Sequence, residues 1–413
     1  MGANKESIIL YYKALICPGG AERLFVKEFE YLSSMGYKVF VVVNRLEEEA
    51  MFGVKIPSSS LFIIGDGPFS ILKLAKLVHS LGNPLVLCSS GHLDVYLASL
   101  IGDFEYALHI HHPCFMSFND YDKYGFFMRH HFEEYSRSNF GASHFIKIKK
   151  QLSVKDLVSL NVKALLSISA KRKSKRNFVL SRYAQKEKKD LYGIESEVMC
   201  GALEDSFQVN NKDIRKSDDF VILTVARLDI NKRIDELIRA IAILVKDNQN
   251  VRLRIVGRGP EKESLQKLAM DLGIADRVEF LGFVPDEHLI SLYLSSDLFA
   301  SIDWADYKIT LFESLAKGLP TLVSNETECD DRLLRLGYVR LVKPIAAMVA
   351  SAITQFMNAP IKIYTEQIRE ILSEYTWGSY FRKIAFSLSR DDLLMKPNEL
   401  SSNRREANAY GGI

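Results

Sequence analysis

Apolar residues recur along this chain in two registers. Short β-branched or aromatic runs predict strands, and three-to-four-residue spacings between them predict amphipathic helices. In the first half the runs at 7–12, 37–43, 61–64, 85–88 and 106–110 predict strands, and 21–35, 69–81, 92–101 and 121–139 predict helices. Shorter runs at 144–148, 165–168, 178–180 and 197–199 predict further strands that finish this half. The polar stretch 204–219 reads as a linker. Beyond it, strands are predicted at 220–225, 253–256, 278–281, 298–302 and 321–323, again with helices between them. Crossovers of this length imply parallel sheets wound with a right hand. The fold class is therefore α/β, with two doubly wound, Rossmann-like domains.

Composition adds limits. A chain of 413 residues suits two cores, each of about 200 residues. The five cysteines, Cys17, Cys88, Cys114, Cys200 and Cys329, are odd in number and form no C-x-x-C pair, which argues against a disulfide framework and a structural zinc. Strand prediction starts at residue 7, and no apolar run approaches the roughly 18 residues of a membrane span, so neither a signal peptide nor a transmembrane helix is expected. The expected compartment is reducing. The net charge of +3 is unevenly spread: residues 129–189 carry 16 Lys plus Arg against 4 Asp plus Glu, a local +12 that leaves −9 elsewhere. This basic region either faces an anionic membrane or phosphorylated lipid, or is a solvated face. No nucleic-acid module accompanies it.

The chemistry concentrates in two loops. Val225-Ala-Arg227-Leu-Asp-Ile-Asn-Lys232 joins a predicted strand to a predicted helix, and Ile309-Thr310-Leu-Phe-Glu313 opens another helix. An open α/β sheet binds ligands at such turns, and a helix start offers unpaired N–H groups and a positive dipole end. Arg227, Lys232 and that helix start make an anion site able to hold a diphosphate without metal. Thr310 and Glu313 have another reading, a capping box needing no ligand. Cys17-Pro-Gly19-Gly20-Ala-Glu-Arg23 is a Gly-rich turn before a helix and allows close backbone approach to a phosphate or sugar. It is neither a P-loop nor a dinucleotide fingerprint. His109-Ile-His111-His112-Pro113 ends a predicted strand, a functional placement with metal binding as the minor alternative.

In order and spacing, these segments over 219–320 resemble the C-terminal half of the retaining family-four glycosyltransferases of GT-B fold. The resemblance takes in Ile255-Val-Gly257-Arg-Gly259-Pro260, the base-lining segment Val278 to Val284 and Tyr375-Thr-Trp377, where the terminal helix starts. It implies an acceptor-side domain at 1–205, a nucleotide-sugar domain at 206–375 and a helix crossing back, then a tail, at 376–413. It implies that Arg227 and Lys232 bind the donor diphosphate, Glu313 the ribose and Phe283 the base, with Gly19 and Gly20 facing the pyrophosphate. His-x-His-His-Pro resembles a motif of the dolichol-pathway mannosyltransferases, and this places His111 beside the transferred sugar. The chain departs from the pattern where the sugar-binding carboxylate eight residues before Glu313 becomes Ala305, and a Gly becomes Lys308. Asp303 or Asp306 is expected to take over the sugar hydroxyls, with Lys308, Ile309 and Thr310 at the donor.

The resemblance thus implies transfer of a hexose, mannose or glucose favoured, from a nucleotide diphosphate sugar to a glycan or polyprenyl-linked acceptor. Retention, metal-independence and a cytoplasmic, peripheral-membrane setting belong to the same expectation. Its rivals are a non-catalytic nucleotide-sugar-binding protein of the same fold and an NDP-sugar epimerase. A Rossmann dehydrogenase would need glycine where Lys262 stands.

Overall fold

The computed structural model describes residues 7–16, 19–67, 69–111, 154–209, 219–247, 249–303, 305 and 307–389. The helix expected at 121–139 and the strand expected at 144–148 lie outside these residues.

The first half contains β1 (Ser7–Leu15), α1 (Gly20–Ser34), β2 (Lys38–Leu46), β3 (Leu61–Ile63), α2 (Ser70–Ser80), β4 (Leu85–Ser90), α3 (His92–Gly102), β5 (Tyr106–Ile110), α4 (Val154–Lys173), β6 (Arg176–Val179), α5 (Arg182–Tyr192) and β7 (Glu197–Val198). Its strands form one parallel sheet in the order β3-β2-β1-β4-β5-β6-β7. Both faces of β1 are covered, as a parallel sheet requires. Ile8, Leu10 and Tyr12 pack in one core with α1, while Ile9 and Tyr11 point into another with Leu74, Val78 and Val95 of α2 and α3. This is the two-residue period of a strand turned into two layers.

The second half contains β8 (Phe220–Val225), α6 (Ile234–Lys246), β9 (Val251–Val256), α7 (Lys262–Asp271), β10 (Val278–Gly282), α8 (Asp286–Leu294), β11 (Leu298–Ser301), α9 (Ile309–Ala316), β12 (Thr321–Ser324), α10 (Asp331–Arg335), β13 (Val339–Val342), α11 (Ala346–Asn358), α12 (Thr365–Ser373) and α13 (Trp377–Ser389). A second parallel sheet runs β10-β9-β8-β11-β12-β13. Its main core joins β8 and β9 to the apolar stripe Ile234, Leu237, Ile238, Ile241 and Leu244 of α6. Gly257 after β9 has φ +135°, and a side chain there would fall on the Ala226 carbonyl oxygen; one at Gly259 would fall on the Leu228 backbone. Two bare backbones therefore press together beside the turn that carries Arg227.

The chain crosses between halves twice, side by side. Leu203 bridges Thr376, and the Ala202 N–H donates to the Tyr375 carbonyl at 2.8 Å. From there α13 returns to the first half, where Trp377, Tyr380, Phe381 and Ile384 pack with Leu24, Phe25 and Phe29. Gly201 makes room for this return, since a Cβ there would lie 2.8 Å from both Trp377 and Tyr380.

One expected strand is corrected. Residues 165–168 lie inside α4, a helix of 20 residues. The local apolar run has no period that separates a strand from a helix, and the longer three-to-four spacing from Leu157 through Leu166 wins.

Candidate active site

The strand order of the second sheet reverses between β8 and β11, which opens a crevice at their C-terminal ends. Two loops meet there. Lys232, in the short turn after β8, donates to Asp303 Oδ2 at 2.7 Å, although the residues are 71 positions apart. Lys308 donates to Asp303 Oδ1 and to Ser301 Oγ, and Ser301 Oγ donates to Asp303 Oδ1 at 2.8 Å. Arg233 adds a third cation, bonded to Glu326 at 2.8 Å and to the Ile302 carbonyl at 3.2 Å. Its backbone is left-handed at φ 51°, which costs an L residue about 1–2 kcal/mol, and these two bonds hold it there.

Among the described residues three cations thus surround two carboxylates, and the surplus is positive. Burial opposes the Asp303 charge, but Lys308 and Lys232 outweigh it and hold its carboxyl well below the usual carboxylate range. Burial likewise pushes Lys308 down to about 8, against the pull of Asp303. Asp303 is 3% exposed, with both oxygens engaged. Its placement fits a residue that fixes Lys232 and Lys308 rather than one open to a sugar hydroxyl. Asp306 lies outside the described residues. Arg227 projects from the same turn as Lys232, 65% exposed and paired with Asp229 at 3.0 Å. Phe283, beyond β10, is 55% exposed with the Arg258 guanidinium 5.7 Å from its ring centre.

Helix α9 begins at Ile309, with Lys308 as its N-cap and no side-chain cap bond. The capping-box reading of Thr310 and Glu313 is therefore corrected. The helix starts a residue before Thr310, so the Glu313 carboxylate is past the reach of the box. Instead Glu313 accepts from Arg23 of α1 at 2.8 Å and from the Tyr293 hydroxyl at 3.3 Å. Burial pushes its carboxyl up, and Arg23 opposes that shift. A carboxylate of the second half is thus held by a cation of the first.

The N-terminus of α1 meets that of α9. A Cβ built on Gly20 would lie 4.0 Å from Ile309 Cδ1, and one on Gly19 would collide with a Glu22 carboxylate oxygen. Glu22 also accepts from the Tyr12 hydroxyl at 2.9 Å. Two helix starts with their unpaired N–H groups therefore converge beside the cation cluster. Across the first sheet, His111 follows β5, buried, with Nε2 3.2 Å from His109 Nδ1. The structure adds partners that the sequence reading missed: Glu28 of α1, 2.6 Å from His109 Nδ1, and Tyr380 of α13, 2.8 Å from His109 Nε2. His112 and Pro113 lie outside the described residues.

A family model described as "Glycosyl transferases group 1" matches residues 206–375, the half that carries the cation cluster and Glu313. Over that region the chain is similar to the group 1 glycosyl transferases. The whole chain has the GT-B architecture of two facing α/β domains. The Anabaena protein Alr3699/HepE, solved in complex with UDP and glucose, has a TM-score of 0.66 at 16% identity over 94% of this chain and 100% of that chain. Among curated relatives, the chain is 32% identical to the GDP-mannose-dependent alpha-(1-6)-phosphatidylinositol monomannoside mannosyltransferase of Mycolicibacterium smegmatis, over 28% of this chain and 32% of that one. It is 32% identical to the alpha-monoglucosyldiacylglycerol synthase of Acholeplasma laidlawii, over 30% of this chain and 29% of the relative. The chain spans less than a third of the length of these curated relatives. No helix among the described residues is long and apolar enough to cross a membrane.

Proposed function

We propose that this glycosyl transferase moves a hexose from a nucleotide diphosphate sugar to a hydroxyl of a glycan or lipid-linked glycan, with retention at the anomeric carbon. The observation that carries the reading is the positive surplus around Asp303, set against two converging helix starts. As the glycosidic bond to phosphate breaks, the sugar turns oxocarbenium-like and negative charge grows on the leaving diphosphate. Fixed cations and N–H groups aimed at that charge lower the barrier. Arg227 and Lys232 meet the diphosphate, with Lys308 and the backbone of Ile309 and Thr310 behind them. Gly19 and Gly20 let the opposite domain approach the phosphates. Glu313 takes the ribose hydroxyls, exchanging Arg23 for donor, and Phe283 lies under the base. Asp303 acts through Lys232, and His111 positions the sugar. No metal is needed for charge that the protein already meets.

Mannose and glucose lead as donor sugars because the two curated relatives are named for them, and their lipid acceptors support a lipid-linked one here. We also propose a peripheral place on the cytoplasmic face of a membrane, a reading supported by the lipids named in those relatives and by the basic residues in 129–189. Binding that is confined to acidic vesicles and falls with salt tests this. A second reading, a nucleotide-sugar-binding protein without chemistry, is favoured by Ala305, by the full engagement of Asp303 and by nothing else.

One experiment separates the readings: incubation with UDP- and GDP-sugars in the presence of chelator, with calorimetry on UDP and GDP alongside. Release of free sugar from a bound donor supports the transferase. Nucleotide binding with no release from any common donor supports the second reading, and sugar interconversion without acceptor supports an epimerase.

A further inference from the structure

The first sheet also reverses its strand order, between β1 and β4, and so has a crevice of its own toward their C-terminal ends. Six side chains that donor binding does not use meet there: Tyr11 and Lys13 of β1, Asn44 and Arg45 of β2, Asp66 after β3 and Asp94 in the first turn of α3. Lys13 pairs with Asp94 Oδ2 at 2.7 Å, and Arg45 with Asp66 Oδ2 at 2.8 Å. A hydrogen-bonded path links the two pairs. The Tyr11 hydroxyl donates to Asn44 Oδ1 at 2.8 Å and stands 3.4 Å from Asp94 Oδ2, while Asn44 Nδ2 donates to Asp66 Oδ1 at 3.2 Å. Burial, then the Asp94 charge, raises the Tyr11 hydroxyl well above its ordinary value, so it stays a donor and fixes which way the Asn44 amide faces. Gly91, left-handed at φ 83°, brings the start of α3 against β1, since a Cβ there would lie 2.9 Å from the Tyr11 ring and 3.0 Å from Lys13 Cβ. That approach sets Asp94 beside Lys13.

The network is built but not filled. Among the described residues Asp94 Oδ1 takes no hydrogen bond, and the second Nδ2–H of Asn44 gives none, although Asn44 is only 2% exposed. An amide so buried gains from a further partner. Lys13, Arg45 and Asp66 are 47%, 58% and 46% exposed, so the network is open on one side. Within it two cations meet two carboxylates and the charges cancel, unlike the surplus around Asp303. A hydroxyl both donates and accepts, and this surface offers both functions. A phosphate only accepts, and two carboxylates would oppose it. We propose that this crevice is the acceptor subsite and takes an uncharged, hydroxyl-rich group, a terminal sugar or polyol, which Asp94 and Asn44 select.

The inference rests on the transferase reading and names the part of the acceptor that enters the first domain. In a lipid-linked glycan that part is the terminal sugar, and the linking phosphate stays outside. From Lys13 the chain leads on to the Gly19–Gly20 turn, where Gly20 approaches Ile309 of the second half. A sugar held by Lys13 and Asp94 therefore sits on the strand that runs toward the donor.

Saturation-transfer NMR on the intact protein, with saturating UDP or GDP in the donor crevice, tests the subsite. The probes are the methyl glycosides of mannose, glucose, galactose and N-acetylglucosamine, set against mannose 6-phosphate. At least one neutral glycoside is expected to bind about tenfold more tightly than the phosphate. Asp94→Asn keeps the size of the side chain and leaves the network net positive, so it should weaken that glycoside about tenfold and shrink its preference over the phosphate. Lys13→Met leaves the network net negative and should widen the preference, a shift of opposite sign that a merely structural role would not produce. Nucleotide affinity within about twofold of wild type shows that each variant is folded. Binding of no glycoside, tighter binding of mannose 6-phosphate by the wild type, or one unchanged preference in all three proteins would overturn the subsite. Glycoside binding with the expected preference but no turnover from any UDP- or GDP-sugar would strike the transferase reading alone.

Discussion

At the β8–β11 edge, two lysines and an arginine crowd two carboxylates; at the β1–β4–β5 edge, one carboxylate sits among two imidazoles, a serine hydroxyl and a tyrosine hydroxyl. The first edge accumulates charge and the second gathers hydrogen-bonding groups around one carboxylate. The ligand proposed above has the same division, since a diphosphate is anionic and a sugar presents only hydroxyls. Charge at long reach suits the anion. Short-range hydrogen-bonding groups suit a hydroxyl, which both donates and accepts. The contrast predicts that the two edges fail differently when cut.

The largest effect is expected at Asp303. Asp303→Ala leaves Lys232 and Lys308 without their counter-charge and should destabilise the fold by about 3 kcal/mol, read from urea denaturation. Adding Lys308→Met should recover much of that loss, and no recovery would mean that the cluster is not a charge balance. Next, Lys232→Ala should weaken UDP or GDP binding by about 1–3 kcal/mol. Calorimetry that shows equal affinity would remove the diphosphate from this edge.

A pH effect of about 1–3 kcal/mol should follow from Lys308. Its folded value, about 8, lies below its ordinary 10.5. Between those values the unfolded chain binds the extra proton, so stability rises with pH across this window. Wild type measured against Lys308→Met should gain stability from pH 8 to 10.5, and a flat difference would contradict the buried, positively crowded setting. The smallest effect belongs to the contact joining the halves. Arg23→Met frees Glu313, and nucleotide affinity should improve by about 0.5–1 kcal/mol, the weight of a partly exposed ion pair. Reduced affinity would instead make Arg23 part of the nucleotide site.

Much of the fold could be read because its period is local. The strand at 220–225 and the helix with Ile234, Leu237, Ile238 and Ile241 are found where the apolar spacing puts them. The short run at 165–168 misled because four residues carry no period of their own. At the site, Lys232 and Asp303 were both legible as candidates, but their bond spans 71 residues and no local pattern encodes it. Glu28 left a signal that went unused, a carboxylate on a stripe otherwise built of Leu24, Phe25, Phe29 and Leu32. Such a misfit announces a buried partner without naming it. Glu328 shows the limit, since its carboxylate caps the N–H groups of Arg182 and Tyr183 from 146 and 145 residues away, and nothing near either end foretells it.

The return of α13 bears on the order in which the molecule is made. Trp377, Tyr380, Phe381 and Ile384 fill the core around α1, and Tyr380 completes the bonding of His109. A ribosome delivers them only after the whole second sheet has emerged. Domains commonly fold as units, the N-terminal one first during synthesis, but here the nascent first domain waits with an apolar face and a half-partnered histidine exposed. The second domain is the one able to close early. A fragment ending at residue 205 is therefore an unfinished object, and the first domain is the last part of the chain to reach its native state.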